Sequence, residues 1–247
     1  MRGIARFLGP LAMAAALAGC VGPTMPAPMP PVQPAAPTAD GVLSPRDAAR
    51  NFVYVVERLE PVAEAVCMER AARGTNCDLD IAVDTRPGLD PNAFQTVDRR
   101  GRPLIVFTLS LIADARNADE IAFVLGHEAA HHILGHIPRR QQTAAQGAML
   151  GTVFGQATGA DPATLQELQR VGAEIGARRY SQNFELEADA LGAEIAWRAG
   201  FDPVKGTGFF LRLPDPGDSF LGSHPPNARR KAQVAAVVAQ LQGGQPM

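Results

Sequence analysis

"FVLGHEAAHHILGH", Phe123 to His136, gathers four of the chain's five histidines around one acid, Glu128. Inside it, "HEAAH" has the pattern H-E-x-x-H. Residues four apart on a helix share a face, so the imidazoles of His127 and His131 can reach one ion together. Glu128 is turned from them by about a hundred degrees. Its carboxylate stands beside such an ion, where it can take a proton from a water and pass it on. The same stretch predicts its own helix. Ile121, Val124, Leu125 and Ile133 recur at helical spacing, Asn117 or Asp119 offers a cap before Ala118, and Pro138 is expected to stop the helix after His136. Taken alone, the motif leaves a second reading open, a polar helix face with two solvated histidines.

A catalytic zinc takes three protein ligands and keeps one position open. The continuation H-E-x-x-H-x-x-G-x-x-H fails here. The glycine falls one position late, at Gly135, and Ile137 stands where the last histidine belongs. The third ligand is therefore sought downstream. "YSQNFELEADALG", Tyr180 to Gly192, offers Glu185 and Asp189, four apart and on one helix face. Glu185 can ligate zinc, and Asp189 can accept the free ring N–H of a ligand histidine. Glu187 faces elsewhere and reads as a solvated acid. His132 and His136 read as surface or packing residues, although His136 is near enough to touch the ligand set.

Working outward, "SPRD" at Ser44 to Asp47 reads as a capped helix start. The helix it begins is open to a kink or division at Pro61. "DLDIAVDT" alternates as a strand. Phe94–Val97 and Pro103–Leu109 form a hairpin around Arg100-Gly101. "QQTAAQGAMLGTVFGQATGADP" reads as one or two loosely packed helices near the site, and residues 141–160 are a candidate lid or plug. A long helix is expected from Asp161 to Gly200, with a break near Tyr180.

The ends read differently. Arg2 and Arg6 precede an apolar run, Phe7–Ala18, that is too short to span a bilayer comfortably and ends in "LAGC" at Cys20. This resembles a bacterial lipobox. The expected organisation is a signal peptide (1–19), a lipidated Cys20 with a proline-rich tether (20–43), a domain (44–240) and a flexible tail (241–247). The expected location is periplasmic, anchored by lipid, and by family rules at the outer membrane. In that compartment a Cys67–Cys77 disulfide is expected, two free thiols being the other reading. The net charge of -2, with Lys and Arg scattered, leaves no nucleic-acid footprint.

Three stretches carry a family resemblance: "NAF…VFTLSLI…DEIAFVLGHEAAHHILGH", "YSQNFELEADALGAEIAWRAGFDP" and "SHPPNARR". Together they resemble the zinc metallopeptidase family that includes the CAAX prenyl endopeptidases, and within it the small periplasmic minigluzincins. The resemblance runs over nearly all of Ser44 to Gln240. It implies an α+β, zincin-like (gluzincin) single domain, mostly helical, with a small sheet bordering the site helix. It implies one Zn2+ held by His127, His131 and Glu185, with Glu128 as catalytic base and Asp189 supporting a ligand. It matches His224 and Arg230 to a His and an Arg near the site. His224 would stabilise an oxyanion or else occupy the open zinc position. Gln182 departs from the arginine common in relatives. The expected substrates are misfolded envelope proteins, bound as an added strand along an edge at Ile105–Leu109. The alternative is a zinc-stabilised, lipid-anchored chaperone or assembly factor whose cleft is plugged.

Overall fold

The computed structural model describes residues 41–179, 181–212 and 226–244. Helix α1 (Pro45–Arg70) starts where Ser44 Oγ accepts the Asp47 backbone N–H at 3.2 Å, with Pro45 in the first turn. Pro61 does not divide it. Pro61 and Glu57, whose carbonyl loses its intrahelical donor, both lie on the exposed face, where water can serve that carbonyl. The opposite stripe, Val55, Leu59, Ala63 and Val66, is fully buried. Burying each of its Val and Leu side chains is worth roughly 1.5–3 kcal/mol. Just before the cap, Leu43 is already packed into the core. At the far end, Cys67 is bonded to Cys77 across the turn made by Gly74 (φ +86°), with the Cα atoms 5.6 Å apart.

The chain then forms β1 (Asp80–Asp84), β2 (Ala93–Val97) and β3 (Pro103–Thr108). β2 and β3 are the expected antiparallel hairpin. Asp98 shapes its turn by accepting from the backbone N–H groups of Arg100 and Arg102 at 2.7 and 2.9 Å. β1 pairs with the other side of β3 in parallel, giving the order β1-β3-β2. Residues 105–108 are therefore central, and Leu109 already belongs to helix α2 (Leu109–Asp114). This overturns the expectation of a substrate edge at Ile105–Leu109. The strand that presents a free edge towards the site is β2.

Helix α3 (Ala118–Ile133) is capped by Asn117, whose Oδ1 accepts the Glu120 N–H at 3.0 Å. It stops earlier than expected. Leu134 closes it, Gly135 adopts φ +64°, and a new helix α4 (His136–Ala157) begins at once. Pro138 is not the stop. It lies in the first turn of α4, where a missing N–H breaks no intrahelical bond. Helix α5 (Pro162–Arg179) returns along α4, and α6 (Ser181–Arg198) follows; the expected break near Tyr180 lies outside the described residues. The α4–α5 pairing is close rather than loose. A Cβ on Gly147 would stand 2.0 Å from the Gly172 carbonyl oxygen, and one on Gly151 2.1 Å from that of Leu168. The short α7 (Pro203–Gly206), a 3-10 turn at Thr207–Leu211, and α8 (Asn227–Gln242) complete the description. The result is α+β, with a three-stranded sheet beside a helical body. Among the described residues, no helix is long and apolar enough to cross a membrane.

Candidate metal centre

Helices α3 and α6 cross at two glycines. A Cβ on Gly126 would lie 2.6 Å from the Gly192 oxygen, and one on Gly192 2.7 Å from the His127 nitrogen. Only bare backbone permits this approach. It sets His127 of α3 against Glu185 and Asp189, which lie two turns and one turn, respectively, before Gly192 on the same face of α6. His127 Nε2 and His131 Nε2 are 3.0 Å apart, and each is 3.5 Å from a Glu185 oxygen. All three donor atoms fall within 4.8 Å of one another. A tetrahedral zinc with bonds of about 2.0–2.1 Å needs donors about 3.3–3.4 Å apart. Two imidazole nitrogens and a carboxylate at these separations fit that ion.

The His127 ring is held from behind. Its Nδ1 lies 3.0 Å from Asp189 Oδ1. Asp189 is fully buried and takes both arms of Arg230, Nε to Oδ2 and Nη2 to Oδ1, each at 2.7 Å. Arg230 comes from the first turn of α8 and lies over the Phe210 ring, 4.1 Å from its centre. Asn227 of the same turn donates to the Phe210 carbonyl at 3.1 Å. Burial opposes a charge on His127, but hydrogen bonds to Asp189 and Glu185 outweigh it and carry its pKa up to about 10. Burial, with the charge of His127 next in weight, pushes His131 down to about 3. Asp189 titrates below its usual range. Burial works against this, and the hydrogen bonds from Arg230 and His127 prevail.

His131 is held by a residue read from sequence as peripheral. His136, the first residue of α4, is buried and places its Nδ1 2.8 Å from His131 Nδ1. Its Nε2 lies 3.2 Å from Glu187 Oε2, and Arg139 Nη1 donates to that same oxygen at 2.7 Å. The His136 ring stacks on Phe184 with centres 4.6 Å apart. Glu187 is thus tied to the back of the site rather than merely solvated. His132 is a surface residue and meets the Asn76 carbonyl oxygen at 2.7 Å.

Glu128 lies on the cleft wall between two cavities of about 200 and 290 Å³, both of which it borders together with His127 and Glu185. Burial raises its pKa to about 7, opposed by the charge of His127 and assisted by that of Glu185. The Gln95 backbone N–H of β2 also reaches it. A carboxylate poised there can gain and lose a proton near neutrality. The first cavity is apolar on its far side, with Phe123, Phe209 and Phe210. The second includes Ile137 and Arg140 from the base of α4. Among the described residues, none from 141–160 lines either cavity, so the candidate plug is not placed at the site. His224 and Cys20 lie outside the described residues.

Sequence reasoning missed His136, Arg139, Phe210 and the glycine pair Gly126 and Gly192. A glycine in each site helix was the one available signal for the close crossing.

Residues 57–238 match the sequence model of peptidase family M48. The chain is 30% identical over 164 residues to the mitochondrial metalloendopeptidase OMA1 of Saccharomyces cerevisiae, covering 61% of this chain and 44% of that protein. It is 34% identical over 120 residues to the beta-barrel assembly-enhancing protease of Yersinia pestis, covering 45% of this chain and 24% of that protein. The chain thus spans less than half the length of either relative.

Proposed function

Because the chain belongs to peptidase family M48, the zinc-dependent metallopeptidases, we propose that it is an endopeptidase whose zinc is held by His127, His131 and Glu185 and whose substrates are misfolded cell-envelope proteins. The observation that carries this reading is the convergence of those three side chains with Glu128 beside them. Zinc bound there supplies Lewis acidity, polarising a carbonyl and lowering the pKa of a water towards about 7. The Glu128 carboxylate takes the proton from the attacking water and returns it to the leaving amine. Asp189 fixes the His127 ring with Nε2 forward, and Arg230 keeps Asp189 ionised.

An extended substrate would run along β2, whose Gln95 N–H already faces the cleft. Main-chain hydrogen bonds to that edge bind with little sequence preference, which suits unfolded chains. The envelope setting rests on the lipobox-like "LAGC" and the proline-rich stretch after it, which would place the domain in the periplasm, tethered through Cys20 to the outer membrane.

The test is cleavage of an unfolded protein by the full chain, with and without chelator, beside Glu128→Gln. Cleavage that chelator and the Gln variant both abolish supports the reading. A chain that holds the unfolded protein without cutting it returns the reading to a zinc-stabilised assembly factor.

A further inference from the structure

We propose that His136 is a positioning residue for the metal site: its bare Nδ1 accepts the Nδ1–H of His131 and so fixes His131 with Nε2 turned to the ion. The inference rests on the reading of His127, His131 and Glu185 as the ligand set. It starts from proton counting. Two Nδ1 atoms 2.8 Å apart make a hydrogen bond only if one carries a proton and the other does not. His131 Nε2 faces His127 Nε2 and Glu185. To ligate, that nitrogen must be bare, which puts the His131 proton on Nδ1. His136 must then be bare at Nδ1 and protonated at Nε2, where Glu187 Oε2 waits at 3.2 Å.

Every neighbour agrees with that assignment. Arg139 donates to Glu187 and keeps it an acceptor. The stack on Phe184, tilted by only 12°, sets the plane of the His136 ring. The Arg139 guanidinium also lies over the Phe184 ring, 4.4 Å from its centre. His136 is not itself a ligand in this arrangement. It meets His131 on the Nδ1 side, while the other donors gather at Nε2.

The two ligand histidines are therefore supported in different ways. Behind His127 stands a buried carboxylate in direct contact, locked by Arg230. Behind His131 stands a neutral imidazole, and the carboxylate comes one ring later. A neutral acceptor orients a ring but draws less on its proton than a carboxylate does. The second support fixes geometry more than it raises basicity.

The experiment measures zinc affinity of the full chain by chelator competition, together with the absorption of the cobalt-substituted protein. His136→Phe keeps an aromatic ring beside Phe184 and removes the acceptor. Zinc should bind about 10–100-fold more weakly, as for other residues that support a ligand from behind, and the cobalt bands should shift. His136→Asn puts Oδ1 where Nδ1 stands and should recover most of the affinity. His136→Gln carries its amide one carbon further out and should not. The Asn–Gln difference decides the matter even if the Phe variant folds poorly. The proposal is overturned if Phe binds zinc as tightly as the parent, or if Asn does no better than Gln. Failure of the underlying reading is separately visible, because then the parent chain itself would bind no zinc.

Discussion

At the α3–α6 crossing, Gly126 and Gly192 bring two helix backbones together; at the α4–α5 pairing, Gly147, Gly151, Gly172 and Gly176 do the same. The surroundings differ. The first contact lies among fully or nearly fully buried side chains, including Phe123, Leu125, Ala188 and Leu191, and beside the Asp189–Arg230 pair. Around the second, large apolar groups face outward: Leu150 is 71% and Phe154 60% exposed. These two residues border a groove of about 360 Å³. Its ion pairs, Arg170 with Glu167 and Glu174, and Arg178 with Glu174, lie in open solvent, where they contribute little. Close approach supplies proximity alone. It becomes fixed side-chain geometry only where a core and buried polar partners surround it.

The largest effect should come from the site side. Glu128→Gln is expected to lower cleavage by about 10²–10⁴-fold with zinc content unchanged, read by turnover and metal analysis; a Gln variant that still cleaves would remove the mechanism. Next is Arg230→Met, which leaves the Asp189 charge buried without its partner. Denaturant titration should show a loss of about 3–5 kcal/mol, whereas Arg170→Met on the hairpin should leave the midpoint where it was. Equal losses at the two arginines would break the contrast. Replacing Cys67 and Cys77 by Ser frees a loop of ten residues' separation, and about 3 kcal/mol of stability should go with it.

The sharpest paired test is Gly192→Val against Gly172→Val. Each forces a side chain into backbone, at about 1–3 kcal/mol. Only the first should also weaken zinc binding, and if Gly172→Val weakened it equally the hairpin would have to be counted part of the site. Smallest of all, Leu150→Ser should change stability by less than about 0.5 kcal/mol. Its measurable consequence would be less self-association in light scattering.

Much of the site could be read locally. H-E-x-x-H and the Glu185/Asp189 pair are both i, i+4 relations, and a helix converts that spacing into a shared face without help from the rest of the chain. What could not be read needed either a chain reversal or a partner far away. On one continuous helix His136 would stand about 140° round from His131, but Gly135 at φ +64° resets the count and turns His136 back towards His131. Glu187 reads as solvated from its own helix because its partners, His136 and Arg139, lie on α4. The hairpin of β2 and β3 was legible from its turn. That β1 would cover the other side of β3 was not, since sheet order is a long-range choice.

The helical hairpin also bears on how the site assembles. His136 and Glu187, 51 positions apart, end within hydrogen-bonding distance. Bringing the ends of so long a flexible segment together carries an entropy penalty that grows by about 0.6 kcal/mol with each doubling of length. The α4–α5 pair forms from neighbouring residues through a short connection, and its antiparallel course returns the chain close to where it left. Folded first, it acts as a short connector, and the two halves of the ligand set meet as near neighbours along the chain. Its outward apolar groups add little to final stability, yet a hairpin formed early would shorten the loop that has to close before the two halves of the site meet.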